Sequence, residues 1–497
     1  MAFQNTSGLL EKLKSVFTSK DQVIDPRRRT HIPSDLIEKL KLLFTGKDQV
    51  TSPHSPGYDE SLKRWSDLAS QRAGVIIFPE SAQDVSMAVH FSHQHNIDMA
   101  VKGGGHTPDG GNSSDGGIII DLGRMKGVSV YSDTNTVTVQ GGALWADVHH
   151  ATAESGLVVV SSTVSTTGVG GVTLQGGYGY LMCAHGLIID NLLSAQVVIA
   201  DGQLLTASES ENSDLFWAIR GAGQNFGVVV EFTFRAYKHP NDVFAGSLVF
   251  TSEKMATILE SLNAALHYKD GKAAAQCIIS QPPNTTELLV TVGIFYNGPE
   301  NECRERFTGI FNLETVSADV KMMPYEEANT LLDSVSPAGG RKRIIGFEFA
   351  SPMRPGFAQK IHDELKLKFE EEPDLIRSYI DLEFWEMSKV CQVPTPATAF
   401  PSRVMTQKGA FTLQYTKPDK DEEYLEWATK IQLMFQEEFK RAGNRPNTFV
   451  SNFTYYTKPS STRSASDMFG VNGQRLVELK KKYDPQGIFN KLNPIST

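Results

Sequence analysis

Apolar positions along this 497-residue chain change their spacing twice. Over the first fifty residues they recur at helical intervals. In the segment 34–50, Leu36, Leu40, Leu43 and Phe44 share one side, which predicts a short helix with Ser34 as its N-cap. That segment, SDLIEKLKLLFTGKDQV, repeats SGLLEKLKSVFTSKDQV at 7–23. Two copies are too few for a solenoid. They read either as a docking or dimerisation arm, which would give a homodimer, or more plainly as two short helices packed on the body. From Pro53 short apolar runs alternate with amphipathic stretches. The pattern predicts strands at 73–78, 97–101, 128–130, 136–140, 195–200 and 228–234, with helices at 81–96 (Ser81 as N-cap) and 143–155. From about Tyr237 the strands lengthen and alternate cleanly, at 244–250, 288–295 and 409–416. Charged helices follow at 252–267, 301–311 and 421–442, and a last helix is expected to end at Lys482. The change of texture marks a second, substrate-side domain.

Composition narrows the function more than the fold. A 40% apolar content is ordinary for a globular protein, and the net charge of −9 leaves no basic footprint for nucleic acid. Cys183, Cys277, Cys303 and Cys391 lie far apart, so neither a zinc site nor a disulfide scaffold is expected. The histidines of the pairs His93/His95 and His149/His150 are read as solvated or facing different ways, not as metal ligands. No apolar run reaches about 18 residues, and the first residues mix charge among apolar side chains, so no membrane span or secretory leader is expected. The reading is an intracellular, cytoplasmic protein.

Candidate chemistry concentrates in glycine-rich stretches. At 101–121, Gly103, Gly104 and Gly105 leave a turn without side chains, so that a large ligand can approach the main-chain N–H groups, and His106 follows at once. Small residues dominate again from Ser161 to Gly179. The pattern Gly221-x-Gly223-x-x-x-Gly227 is a poor dinucleotide fingerprint: the spacing is one residue too long, and a helix precedes the glycines where a strand should.

Taken together, these stretches resemble the berberine bridge enzyme-like FAD-linked oxidases, within the vanillyl-alcohol-oxidase type of flavin fold. The resemblance rests on KGGGH at 102–106, TTGVGG at 166–171, GGYG at 176–179 with GLIIDN at 186–191, LFWAIRGAGQNFGV at 215–228, and a tail containing Phe469, Asn472, Arg475 and Tyr483-Asp484-Pro485. It implies an α+β fold: a two-part FAD-binding domain of the vanillyl-alcohol-oxidase (PCMH) type, plus a substrate domain with an antiparallel sheet and covering helices. The expected division is 1–52 for the helical extension, 53–238 for the FAD domain, 239–454 for the substrate domain and 455–497 for a segment returning to the FAD domain. The implied cofactor contacts are Lys102, Gly103, Gly104, Gly105, His106, Thr107, Gly111, Val164, Thr166, Thr167, Gly168, Gly171, Gly179, Gly186, Leu187, Asn191, Gly227, Val228, Val229 and Asn472. His106 falls where the family attaches FAD covalently. Many relatives make a second attachment through a cysteine; here that position is Val164, so a single bond is expected. Thr167 stands where relatives carry an aliphatic residue thought to influence oxygen access.

The resemblance implies hydride transfer from a small organic substrate to FAD while a protein group takes the proton, with oxygen as the acceptor. Alternation on the strand at 409–416 puts Phe411, Leu413 and Tyr415 on one face and Thr412, Gln414 and Thr416 on the other. Gln414 matches an active-site position that holds Gln or Glu in relatives, and Tyr178 an active-site tyrosine of some. The family's asparagine-tyrosine pair is Asn452-Phe453 here, so Tyr455 or Tyr456 would have to supply the phenol, with Tyr455 on the face of Phe453. Arg403 is read as a structural ion-pair partner. A metabolite oxidase of biosynthesis is the first reading. A redox-neutral isomerase or cyclase, an oligosaccharide oxidase, and a binding protein on a decayed flavin scaffold are the others.

Overall fold

Residues 31–46, 48–239, 241–283, 285–445 and 463–496 are described by a computed structural model. The first repeat copy and the segment holding Asn452, Phe453, Tyr455 and Tyr456 lie outside these residues. The second copy forms α1 (Ser34–Leu43), which buries Leu36, Leu40 and Leu43, and leads into β1 (Val50–Thr51). β1 runs antiparallel to β2 (Val75–Ile77) at the edge of a four-stranded sheet ordered β1-β2-β4-β3. After β2 in sequence, α2 (Ala82–Gln94) opens with a capping box in which Ser81 and Asp84 exchange hydrogen bonds. β3 (Met99–Lys102) and β4 (Ile118–Asp121) lie parallel, in register from Met99 against Ile118 to Lys102 against Asp121. The isoleucines of β4, Ile118, Ile119 and Ile120, are buried on both faces, as parallel strands require.

A second, antiparallel sheet takes β5 (Val128–Tyr131), β6 (Thr136–Gln140), β7 (Leu192–Val198), β8 (Leu204–Ser208) and β9 (Val228–Arg235) in the order β5-β6-β9-β7-β8. The helix expected at 143–155 is α3 (Trp145–Ala153), and α4 (Ser213–Ala222) precedes β9. The chain then builds a seven-stranded antiparallel sheet from β10 (Val243–Thr251), β11 (Ala273–Ser280), β12 (Leu289–Tyr296), β13 (Ser317–Met323), β14 (Arg341–Phe349), β15 (Tyr379–Trp385) and β16 (Gln407–Tyr415). Its order is β13-β10-β12-β11-β15-β16-β14. Three helices, α5 (Met255–Ala265), α6 (Pro355–Glu371) and α7 (Asp421–Arg441), cover one face. Phe411, Leu413 and Tyr415 point into that apolar layer with Ile380, Leu382 and Phe384, as alternation predicts.

The opposite face meets the first half of the chain. Ala274, Phe295 and Trp385 share a core cluster there with Tyr178, Tyr180 and Leu181. At the C-terminus α8 (Gly473–Tyr483) returns to the first half of the chain, where buried Lys480 donates to the carbonyl of Asn225, and to that of Phe489, each at 2.7 Å, and pairs with Asp484 at 2.6 Å. Two expected helices are interrupted. The one at 301–311 is Glu300–Arg306 and Thr308–Phe311, broken where Phe307 turns to ψ 28°. The last is Ala465–Phe469 and then α8, separated by Gly470 at φ 55°. Helical spacing of apolar residues continues across both breaks, so the pattern alone does not reveal them.

Candidate active site

The two parallel strands deliver the glycine turn. Lys102, the last residue of β3, binds Asp121, the last of β4, at 2.9 Å, and the chain leaves the sheet as Gly103-Gly104-Gly105. That turn lies back to back with Gly168. A methyl group on Gly104 would stand 2.5 Å from Gly168 N and 2.7 Å from its Cα, and one on Gly168 would stand 2.4 Å from Gly104 N. Both neighbours are backbone, so neither can give way as a side chain would. Gly171, one helical turn on, has nothing within 4 Å of its added methyl position, because it faces an open cleft. The cleft holds about 1160 Å³ of space not filled by protein, continuous with solvent. Its walls are apolar at Val101, Leu122, Leu174 and Phe489. Gln224 lines it with both carboxamide heteroatoms buried and without a hydrogen-bond partner.

His106 opens onto the same cleft, and its Nε2 is also buried without a partner. Burial, and after it the Lys342 ammonium group, lowers its pKa to about 4. The imidazole is therefore neutral at physiological pH, with a lone pair available. Trp65 stacks on it, ring centroids 4.6 Å apart at 20°. Bare glycines back to back, an unpartnered imidazole nitrogen and an unpartnered carboxamide fit an extended dinucleotide cofactor with a reactive ring end at His106.

The helix-free face of the large sheet supplies a second group of polar side chains. Asp381 and Glu383, two residues apart on β15, project together toward the first half of the chain. Gln276, across from Glu383 on β11, donates its Nε2 to Asp381 Oδ2 at 3.2 Å and Glu383 Oε1 at 3.3 Å. One oxygen of each carboxyl is buried without a partner. Burial raises both pKa values well above the ordinary carboxylate range, and Asp381 raises that of Glu383 further. Facing them, Tyr180 stacks on Phe295 at 4.6 Å and on Trp385 at 6.3 Å. Tyr178 hydrogen-bonds Ser402, and burial, followed by smaller contributions that include Glu348 and Glu383, raises its pKa. The strand wording IDLEF was the one available signal for the two acids: alternating carboxylates inside an apolar run.

The expected cofactor residues divide in two. Gly103, Gly104, Gly105, His106, Thr107, Gly111, Gly168, Gly171, Gly227, Val228 and Val229 line the cleft. The others do not line it. Lys102 is held by Asp121, and Thr167 donates to Val164 O at 2.7 Å. Thr166 is exposed, and Gly179 is pressed against Ser161 O. Gly186, Leu187 and Asn191 form a turn closed by Leu187 N donating to Asp190 at 2.9 Å and Asn191 Nδ2 donating to Leu187 O at 2.9 Å. Arg403 grips the same Asp190 through two bonds of 2.7 and 3.0 Å. Asn472 donates to the carbonyls of Thr395, Thr398 and Ala399 at 3.1–3.3 Å, tying α8 to a substrate-side loop. Gln414 borders a separate hollow with Lys342, Asp374 and Arg377, away from Asp381 and Glu383. Tyr455 lies outside the described residues. Met99, Asn112, Gly141, Gln175 and Gln224, and the run Phe489–Leu492, line the cleft without having been expected there. No group of three His, Cys, Asp or Glu side chains that could hold a metal ion, and no helix long and apolar enough to cross a membrane, occurs among the described residues.

A glycine-walled cleft with an unpartnered imidazole at its edge suits a flavin-dependent oxidoreductase, and comparison with known proteins shows that class. Residues 73–208 match the FAD binding domain family, and residues 458–496 match the family described as berberine and berberine like. The FAD-linked oxidoreductase pgmH of Aspergillus terreus is 34% identical over 457 residues, covering 88% of this chain and 91% of its own. The FAD-linked oxidoreductase srdI of Neurospora crassa is 28% identical, covering 89% of each. Among solved structures, 6-hydroxy-D-nicotine oxidase of Arthrobacter nicotinovorans superposes with a TM-score of 0.78 at 25% identity, over 91% of this chain and 98% of that one. Chitooligosaccharide oxidase gives 0.77 at 20%, over 93% and 99%, which shows a shared fold. The chain belongs to the berberine bridge enzyme-like family of FAD-linked oxidoreductases.

Proposed function

We propose that this protein oxidises a small organic metabolite by hydride transfer to FAD held through one covalent bond to His106, in specialised-metabolite biosynthesis. The observation that carries this reading is the buried pair Asp381 and Glu383, facing Tyr178 and Tyr180 in the same molecule that leaves His106 Nε2 unpartnered at the cleft. Bound FAD would supply the two-electron acceptor and hand its electrons to dioxygen as hydrogen peroxide. The chain's own task is the proton. Two carboxyls bridged by one amide in a dry site resist simultaneous ionisation, so one holds a proton while the other accepts one from the substrate's O–H or N–H as the carbon gives up hydride. Tyr178 and Tyr180, whose phenols are kept protonated by burial, would serve as donors that orient the substrate heteroatom.

A single covalent bond is supported by Val164, which cannot form a thioether. A solved structure of glucooligosaccharide oxidase from Acremonium strictum is described as carrying FAD attached through both a cysteinyl and a histidyl link. The test combines two measurements. Acid precipitation should retain yellow colour in the pellet for the native protein and release it for His106→Ala. With a substrate in hand, Asp381→Asn and Glu383→Gln should bind FAD normally yet reduce it about 10²–10⁴-fold more slowly. Stoichiometric peroxide supports oxidation; product formed without peroxide or flavin reduction sinks it in favour of a redox-neutral isomerisation.

A further inference from the structure

His106 is gripped by a strap that starts far from the glycine turn in sequence and ends on the substrate sheet. Residues 64–67 run between the two halves of the molecule. Arg64, buried, donates Nε to Asn112 Oδ1 at 3.2 Å and Nη2 to Asn112 O at 3.2 Å, fixing the loop that leaves His106. Trp65 N donates to Gly105 O at 3.1 Å, and its indole lies on the His106 ring. On the other side, Trp65 Nε1 donates to Ser336 O at 3.1 Å and Oγ at 3.0 Å, and Trp65 O accepts from Gly339 N at 3.0 Å. Ser66 Oγ donates to Lys342 O at 2.8 Å and accepts from Lys342 N at 3.0 Å. The Lys342 ammonium lies 4.6 Å from the Trp65 ring centroid and donates to Trp65 O at 3.3 Å.

We propose that Trp65, clamped by Lys342 and the loop 336–340 that leads into it, is the positioning residue for flavin attachment: it holds the imidazole plane of His106 so that its nitrogen faces the cofactor's reactive methyl carbon. This rests on the covalent reading above. The step forms one N–C bond. It releases a proton from the flavin methyl group and the imidazole N–H proton, and leaves two electrons on the ring, which dioxygen takes up with two protons as hydrogen peroxide. A flat aromatic face restricts rotation of an imidazole as an aliphatic side chain does not. A reacting atom misplaced by about 1 Å costs on the order of 10²-fold in rate. Neutrality of the imidazole follows from the same packing, since burial and the Lys342 charge both oppose its protonation.

The test compares apo protein of the native sequence with Trp65→Phe, Trp65→Leu and Lys342→Met. FAD is added, total bound flavin is read by absorbance, and the attached fraction is read over time from the mass of the denatured chain. Expected: Phe attaches at close to the native rate, while Leu binds FAD to the same extent but attaches about 10–100-fold more slowly. Lys342→Met, which keeps the chain length but loses the cation on the indole, should be slowed in the same sense; it carries the test if Leu does not fold. Native-rate attachment in both Leu and Met overturns the proposal while leaving the covalent reading intact. Loss of FAD binding together with attachment makes the strap merely structural and overturns it too. A native protein that never gains the flavin's mass refutes the covalent reading itself, and this proposal with it.

Discussion

Adding one methyl group to each of two cleft glycines should have opposite consequences. At Gly104 the new carbon would stand 2.5 Å from a backbone nitrogen of Gly168. Ordinary contact begins at 3.4 Å, so the two loops would have to part by about 0.9 Å. Both are anchored, Lys102 by Asp121 and the Gly168 segment by Val169 N donating to Ala143 O at 3.0 Å. Overpacking of this kind costs about 1–3 kcal/mol, which lowers the melting temperature of the apo protein by about a few degrees. At Gly171 the added methyl meets nothing within 4 Å, so the apo protein should melt as the native protein does. If the bare backbone there exists to admit the cofactor, Gly171→Ala should weaken FAD binding about 10-fold or more, a loss of about 1.4 kcal/mol, when measured by flavin fluorescence in the His106→Ala background. Unchanged apo melting for Gly104→Ala would refute the steric argument, and unchanged FAD affinity for Gly171→Ala would refute the cradle.

Two further measurements probe buried polar groups. Burial keeps the Glu383 carboxyl protonated in the fold above the range where it ionises in the unfolded chain, so its contribution to stability is full below about pH 4 and is lost as pH rises through the raised value. Glu383→Gln, which cannot ionise, should therefore melt higher than the native protein at pH 8 and nearly the same at pH 4; a pH-independent difference would contradict the assignment. Gln224→Leu removes a carboxamide whose two heteroatoms have no protein partner. FAD affinity should drop by about 1 kcal/mol in the His106→Ala background without loss of apo stability, and a fall in apo melting instead would mean that the amide serves the fold.

What could be read from the chain alone followed from local rules. Glycine positions located the turn before His106, and alternation assigned Phe411, Leu413 and Tyr415 to the helix-covered face. Period two tells which residues share a face; it does not tell which face meets another domain. Gln414, which matches a family active-site position, lies on the same face as Asp381 and Glu383 but at its outer end, while the two acids sit on the neighbouring strand at the seam. Asn472 and the turn 186–191 carry motif residues whose polar groups are spent on nearby carbonyls, which only the folded contacts reveal. Gln224 was hidden among glycines that attracted all the interest.

Strand β15 lies in the interior of its sheet, hydrogen-bonded to β11 on one side and β16 on the other. Sliding it by a single residue would drive both carboxyls into the phenylalanine-rich layer beneath the helices and turn Leu382 and Phe384 toward the flavin side. The alignment that lets the protein fold is thus the same one that aims its acids. Loops at the sheet's ends carry no such obligation, so a new substrate can be accommodated by rebuilding a rim while the proposed proton acceptor stays where the fold puts it.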